Sequence, residues 1–463
     1  MVLQQGVTLP VWGWGNPGEH VIVTLGDNCK ESIADERGFW RLTFSPLQKS
    51  WEPTMMVING NKRIEINDII IGDVWICAGE GNMDFPLSKA CTGKGSGNDL
   101  KDPQLRFFIA DKRASDNPER IGGGRWVVCT PESAPDFSAV GYFFARDIRS
   151  AQHLPIGMIQ CTSERNMVTD WISSRGIFSP PSILLHHEID GKHRVNSFTT
   201  GIMGTSSSLY HGMIAPLIPY AITGVIWYQG ESHEGDLALQ YRRQLPRLIR
   251  DWRDQWGQGA FPFYFVSLAG FGGVEDSLVE SYRDGYGKPR RAWPWIREGM
   301  MSALSLPNTG MADAVDLGDQ GDRHPEDKLD VGRRLALLAR HRVYSEDLID
   351  SGPVFLGMKR EGSKLRVIFR SVGGGLTQGV PPWHPDDFTP SLETSLHGFA
   401  ISGNDRKWHP ANAEIHGDEV ILSNDEVHDP VAVRYDWNGC PTGNLYNKEG
   451  LPAAPFRSDS YQP

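Results

Sequence analysis

Ile71-Gly72-Asp73-Val74-Trp75-Ile76-Cys77-Ala78-Gly79-Glu80-Gly81-Asn82-Met83 is the stretch whose reading decides the fold. An apolar, β-branched and aromatic run enters Ala-Gly-Glu-Gly, the pattern of a buried strand that ends in a sharp turn. Asn82-Met83-Asp84-Phe85 then starts a helix or a loop. A strand that stops at a tight turn in an α/β enzyme presents its last residues at the C-terminal edge of the sheet, where sites form. Position 81 is where a nucleophile would be sought, and it holds glycine.

On the N-terminal side, residues 1–70 read as a β module. Short strands are expected near Val7 to Trp14, Val21 to Leu25, Gly38 to Phe44 and Met55 to Ile58, with turn residues between them at the spacing of a small sandwich. From 71 to 345 strands alternate with helices, which argues an α/β domain with a mainly parallel sheet. A helix is expected from Phe137 with Ser138 near its start, and buried strands at Ile156 to Cys161, Gly224 to Gln229 and from Phe261. Tyr241 to Trp256 places Leu245, Leu248, Ile249 and Trp252 on one helical face, with Pro246 marking a kink or the true start. A terminal helix is expected from Asp327 to Arg340, and residues 92–98 and 271–289 read as surface loops. Residues 346–463 return to alternating β patterns at Leu365 to Phe369, Phe399 to Ser402, Glu419 to Leu422 and Val431 to Tyr435, a second β region.

The 463 residues allow two or three domains. A net charge of -11 argues against a nucleic-acid or anionic-membrane partner, and no run of about 18 uncharged apolar residues reads as a membrane span. Fifteen Trp among many Gly and Pro fit a loop-rich enzyme, and Trp-lined grooves suit sugar rings. The six cysteines lack any metal-site or redox spacing. Cys77 and Cys161 lie in apolar strand-like runs and read as buried thiols, and Cys91 is a possible partner for Cys129. No charged leader and apolar core follow Met1, so no signal peptide is read.

Gly72 to Met83 resembles the first block of the sialate O-acetylesterase family, a branch of the SGNH hydrolases. That family carries Gly-Gln-Ser-Asn-Met there, or a Glu in place of the Gln, with serine as nucleophile. Ser208-Leu-Tyr-His-Gly-Met-Ile-Ala-Pro through Trp227-Tyr228-Gln229-Gly230-Glu231-Ser232, Asp322-Arg323-His324-Pro325 and the ending Asn444-Leu-Tyr-Asn-Lys-Glu-Gly-Leu-Pro also resemble family blocks, so the likeness covers nearly the whole chain. It implies an SGNH-type three-layer α/β domain flanked by β regions, and removal of O-acetyl groups from sialic acids or other acetylated carbohydrates. Members usually carry sequence ahead of this start, often with an export signal. That implies a truncated N-terminus and a periplasmic or secreted protein.

The resemblance carries His324 across as the general base and Asp322 as its orienting partner, with Asp319 the alternative. Without it, His324 reads as an exposed histidine in an acidic loop. Gln229 and Glu231 fall in frame and organise the pocket floor, and Trp227 and Tyr228 read as core. Three reactive positions differ: the serine is Gly81, the oxyanion-hole Asn is His233, and a Gly-Gly-Thr segment is Glu164-Arg165-Asn166. Glycine cannot form an acyl-enzyme. Oxyanion donors are worth roughly 3–4 kcal/mol each, and Glu164 near that hole opposes developing negative charge unless Arg165 offsets it. The expected activity is therefore a carbohydrate-directed hydrolase with its serine mechanism disabled. The alternatives are a carbohydrate-binding pseudoenzyme, or a repurposed acid–base site of Glu80, Glu164, Arg165, His233, Asp322 and His324 that cleaves glycans. The spacing of His233, His324 and a carboxylate gives a metal no support, and no cofactor is expected.

Overall fold

The computed structural model describes residues 1–90, 100–178, 207–233, 235, 237–272, 292–380 and 395–461. Cys91, the 92–98 loop and residues 273–289 of the second expected loop lie outside them.

Strands β1 (Val2–Gln4), β2 (Leu9–Trp14), β3 (His20–Leu25), β4 (Asn28–Ile33), β5 (Phe39–Phe44) and β6 (Ser50–Asn59) build the N-terminal region. The pairs β2–β5 and β3–β6 are antiparallel. Their alternate residues Val11, Val21, Val23, Leu25, Trp40 and Leu42 share one core. β4 escapes a hydrophobic-pattern reading because it is an edge: it pairs only with β3, and its side chains are polar and mostly exposed.

The next strand, β7 (Arg63–Gly79), runs for 17 residues and serves both halves of the sheet system. Its first part pairs with β6 and β1. Its second part is the central strand of a parallel sheet with β8 (Asp102–Ala110), β10 (Ile156–Thr162), β11 (Gly224–Tyr228), β12 (Phe263–Val266) and β13 (Thr309–Ala312), while β9 (Gly124–Cys129) closes one edge antiparallel. The order β13-β12-β11-β7-β10-β8-β9 puts β7 between the two directions in which the chain winds. Crevices for ligands form at the carboxyl end of such a strand. The 70/71 boundary falls inside this continuous strand.

Helices cover both faces. Gly224 and Trp75 are register partners, as are Trp227 and Ala78, so Trp75 and Trp227 point to opposite sides. Trp75 meets Phe144 of α2 (Ala139–Gln152), and Trp227 meets Trp252 of α4 (Leu237–Trp256) edge-on. (The intervening α1, Gly81–Asp84, and α3, Ser174–Phe178, are one-turn pieces.) Two further helices, α5 (Ala292–Met301) and α6 (Leu329–Arg342), pack on α4 and α2 respectively. Trp227 and Tyr228 are fully buried core residues, and Cys77 and Cys161 are buried free thiols. Ser138 caps α2, its Oγ accepting the Gly141 N–H at 3.1 Å. Pro246 marks no start: α4 begins at Leu237 and carries the proline inside.

Beyond α6, two four-stranded antiparallel sheets face one another. One contains Val354–Glu361, Lys364–Arg370, Glu419–Ser423 and Asn412–His416; the other contains Trp408–Pro410, Phe399–Ser402, Ala432–Tyr435 and Phe456–Arg457. Leu365, Val367, Val420, Phe399, Val433 and Phe456 meet in their common core. No helix among the described residues is long and apolar enough to cross a membrane.

Candidate active site at the end of β7

β7 ends at Gly79, and β11, whose last residue Tyr228 is the register partner of Gly79, is followed two residues on by Gly230. Gly79 and Gly230 both have φ of 145°, outside the range side chains adopt readily, and a Cβ on Gly79 would lie 2.0 Å from the Tyr228 carbonyl oxygen. This close approach sets Glu80 and Gly81 directly beside Gln229 to His233. The Glu80 N–H donates to the Tyr228 carbonyl at 2.9 Å, and the Ser163 N–H after β10 donates to Gly79 at 3.1 Å.

Facing Gly81 is His324, in the loop that leads into α6. A Cβ built on Gly81 would lie 2.4 Å from His324 Nε2, inside any normal contact. The imidazole therefore points its outer nitrogen at the place a side chain of residue 81 would fill. Among the described residues its ring has no hydrogen-bond partner; Asp322 Oδ1 instead accepts the backbone N–H of His324 at 2.8 Å. Asp319 Oδ1 folds the loop by accepting from Gly321 and Asp322 at 2.6 and 3.2 Å.

Two residues that sequence reading missed hold that loop in place. Asn82, almost fully buried, donates from Nδ2 to Glu231 Oε1 and to the Arg323 carbonyl at 3.1 Å. Lys328 donates from Nζ to Asn82 Oδ1 at 2.8 Å and to the Pro325 carbonyl, under the rings of Phe85 and Tyr228. Both carbonyls flank His324, so the buried Asn82–Lys328 pair fixes where the imidazole sits. Burial pulls the Lys328 ammonium down to about 7, against the opposing pull of Glu231. Asn82 was in view as the neighbour of position 81. A wholly buried lysine four residues after a loop histidine has no sequence signal.

Behind Gly81 lies a buried carboxyl pair. Ser232 donates from Oγ to Glu80 Oε1 and from its backbone N–H to Oε2 at 3.3 Å, and Gln229 Nε2 reaches the same Oε2 at 3.3 Å. Burial first, and the Glu231 carboxylate second, hold Glu80 well above the usual carboxylate range. Glu231 Oε2 has no hydrogen-bond partner among the described residues.

His233 turns inward. It is completely buried, with Nδ1 3.3 Å from Gln229 Nε2, Nε2 3.1 Å from Gln244 Oε1, and its ring edge-on to Tyr241. Both nitrogens are taken up by amides, and burial lowers the imidazole to about 4. Glu164 and Arg165 are exposed on the turn after β10, Arg165 with a left-handed φ of 52°. Asn166 is buried; its carbonyl accepts from Gln229 Nε2 at 2.9 Å. The structure thus brings together Glu80, Gly81, Gln229, Glu231, His233 and His324. It leaves Glu164 and Arg165 at the surface and Asp322 on the backbone of its own loop. Among the described residues no group of three His, Cys, Asp or Glu is placed to hold a metal ion.

Comparison with known proteins points the same way. Residues 130–339 match the family described as carbohydrate esterase, sialic acid-specific acetylesterase. A crystal structure of a carbohydrate acetylesterase from Xanthomonas citri is 34% identical, with 99% of this chain and 97% of that chain aligned and a TM-score of 0.85. Sialate O-acetylesterases of Homo sapiens and Mus musculus are each 26% identical over 98% of this chain, covering 90% and 92% of their own lengths.

Proposed function

The chain belongs to the carbohydrate esterase family of sialic acid-specific acetylesterases, and from that premise we propose that it acts on O-acetylated carbohydrate with His324 driving water, not a serine, at position 81. The observation that carries this reading is the imidazole aimed at Gly81, with Nε2 2.4 Å from the place of a missing Cβ. A base so placed can take a proton from water as the water oxygen attacks the acetyl carbonyl carbon. The bond from that carbon to the sugar oxygen then breaks, and the sugar oxygen takes the proton back. Acetate and the free hydroxyl leave, and no acyl-enzyme forms. Without a nucleophile such turnover is slow, because that group supplies several orders of magnitude in acyl transfer. One observation favours a second reading, a carbohydrate-binding protein without turnover: the ring itself fills the space beside Gly81, and the inward His233 offers no donor to an oxyanion.

Acetate release from acetylated glycans and aryl acetates, with deacetylated controls, separates the readings. Wild type should release acetate slowly from the acetylated glycans, and His324→Ala should lose that activity. Gly81→Ser should gain at least about tenfold, since the ring need retreat only roughly 1 Å to reach ordinary contact and no ring hydrogen bond within the described residues resists it. Binding of the glycan with no release in wild type would establish the second reading. Cleavage of the deacetylated controls alone would turn the chemistry to glycan cleavage and overturn both.

A further inference from the structure

Away from Gly81, a second serine meets a second histidine. Ser174 is exposed at the start of α3, and His211 lies buried beneath it. Ser174 Oγ is 2.9 Å from His211 Nε2, and the other ring nitrogen, Nδ1, is 3.2 Å from the Ser115 carbonyl oxygen. A carbonyl only accepts, so Nδ1 carries the ring proton when the imidazole is neutral. Nε2 is then an acceptor, and Ser174 is the donor. This is the arrangement that activates a hydroxyl: a nucleophile on a base, and the base oriented by a third group.

The surroundings hold each member in place. The Ser115 N–H donates to the Ser208 carbonyl at 3.0 Å and Ser115 Oγ to the Asn117 carbonyl at 2.8 Å. The His211 N–H donates to the Ser207 carbonyl at 2.9 Å, and the His211 carbonyl accepts the Glu119 N–H at 2.9 Å. Gly212 lets the 113–115 segment come this close, since a Cβ there would lie 2.1 Å from the Arg113 carbonyl oxygen. On the serine side, Ser173 is fastened by its N–H and Oγ to the two oxygens of Asp251, each at 2.6 Å. Ser174 itself is exposed, although its hydroxyl bonds the buried imidazole, so a small ester can approach Oγ from the solvent side.

We propose that Ser174 and His211 form a second acyl-accepting site, with Ser174 Oγ as nucleophile toward small acyl esters, His211 Nε2 as base and the Ser115 carbonyl as orienter. Ser174 Oγ attacks the ester carbonyl carbon as its proton passes to Nε2. The bond to the alcohol oxygen breaks and that oxygen takes the proton. Water then attacks the acyl carbon, its proton passes through Nε2 to Ser174 Oγ, and the carboxylic acid leaves. Nothing in this sequence depends on Gly81 or His324.

The test treats the whole chain with a fluorophosphonate, which replaces the serine proton with a phosphonyl group and releases fluoride, and locates the adduct by peptide mass spectrometry. The expected result is an adduct on Ser174 whose rate of formation falls about 100-fold or more in His211→Gln. No adduct on Ser174, or the same rate in a folded His211→Gln, overturns the proposal. Should His211→Gln fail to fold, Ser174→Cys carries the test. A thiol beside the imidazole should alkylate with iodoacetamide at least about tenfold faster than the exposed free thiol of Cys29 in the same chain, and equal rates overturn the pair. Acetate release from an aryl acetate that falls in Ser174→Ala assigns turnover to this site. Release that falls in His324→Ala alone overturns turnover here while sustaining the reading of His324.

Discussion

His233 shows what it costs to enclose an imidazole inside a packed core. Its ring is fully buried between Gln229 and Gln244, and burial lowers its pKa from 6.5 to about 4. The folded protein therefore holds it neutral where the unfolded chain would protonate it. For a base with a depressed folded pKa, the stability is present above 6.5 and is lost as pH falls toward 4. The gap, 6.5 minus about 4, at about 1.4 kcal/mol per unit, amounts to about 3 kcal/mol. His233→Asn keeps a hydrogen-bonding side chain and removes the titration. Urea denaturation at pH 7 and pH 4.5 should show wild type losing more stability than the variant across that interval, by about 2 kcal/mol, since only the span from 6.5 to 4.5 is crossed. Equal losses would mean that His233 is not held neutral. A neutral ring with both nitrogens engaged by amides also has no donor to spare.

At the scale of the element, α4 explains how a 20-residue helix accommodates a proline. Pro246 has no N–H, so the Arg242 carbonyl one turn earlier loses its helical partner. Ser302, at the end of α5, donates its hydroxyl to that carbonyl at 2.8 Å, while also reaching the Gly299 carbonyl at 2.6 Å. Ser302→Ala should cost about 1 kcal/mol in wild type and close to nothing in Pro246→Ala, where the restored N–H satisfies Arg242. A double-mutant cycle by thermal unfolding reads that coupling, and additive effects would refute it. This rescue also marks the limit of sequence reading. The apolar face of Leu245, Leu248, Ile249 and Trp252 was legible because its spacing is local; the proline's tolerance was not, because its partner lies 60 residues on. The same division holds at the site. The strand and turn at Gly79 to Gly81 could be read, since burial and glycine are local signals. The Asn82–Lys328 clasp could not, since it joins residues 246 apart. The exposure of Glu164 and Arg165 on the turn after β10 is likewise set by the tertiary course of the chain, not by a local pattern.

Across the whole molecule, the C-terminal β region is fastened to the α/β domain by buried arginines from both sides. Arg457 stacks on Trp295 and Trp437 and pairs with Glu298 at 2.9 Å. Arg297 on α5 is the deeper anchor. It is fully enclosed and donates to four carbonyls: Leu268 and Ala269 just past β12 at 2.8 and 3.1 Å, and Asn438 and Gly439 of the C-terminal region at 2.8 and 2.9 Å. None of these bonds goes to a carboxylate, and burial lowers its pKa to about 10, so it stays charged at neutral pH. One guanidinium thus satisfies backbone acceptors of two regions at once. Removing it leaves four buried carbonyls without that donor, each worth about 1–3 kcal/mol unless the backbone shifts to find water. The cheapest relief is for the two regions to part. Arg297→Met, close in length and apolar, should therefore lower stability by at least about 3 kcal/mol. It should also speed proteolysis of the 438–440 segment more than of the α/β domain. Breaking only the Arg457–Glu298 pair, whose carboxylate is partly exposed, with Glu298→Gln should cost less, about 1 kcal/mol, because the stacking on both tryptophans remains. If Arg297→Met destabilises no more than Glu298→Gln does, the two regions are held together by their apolar contacts, and the arginine is a passenger in an interface that would form without it.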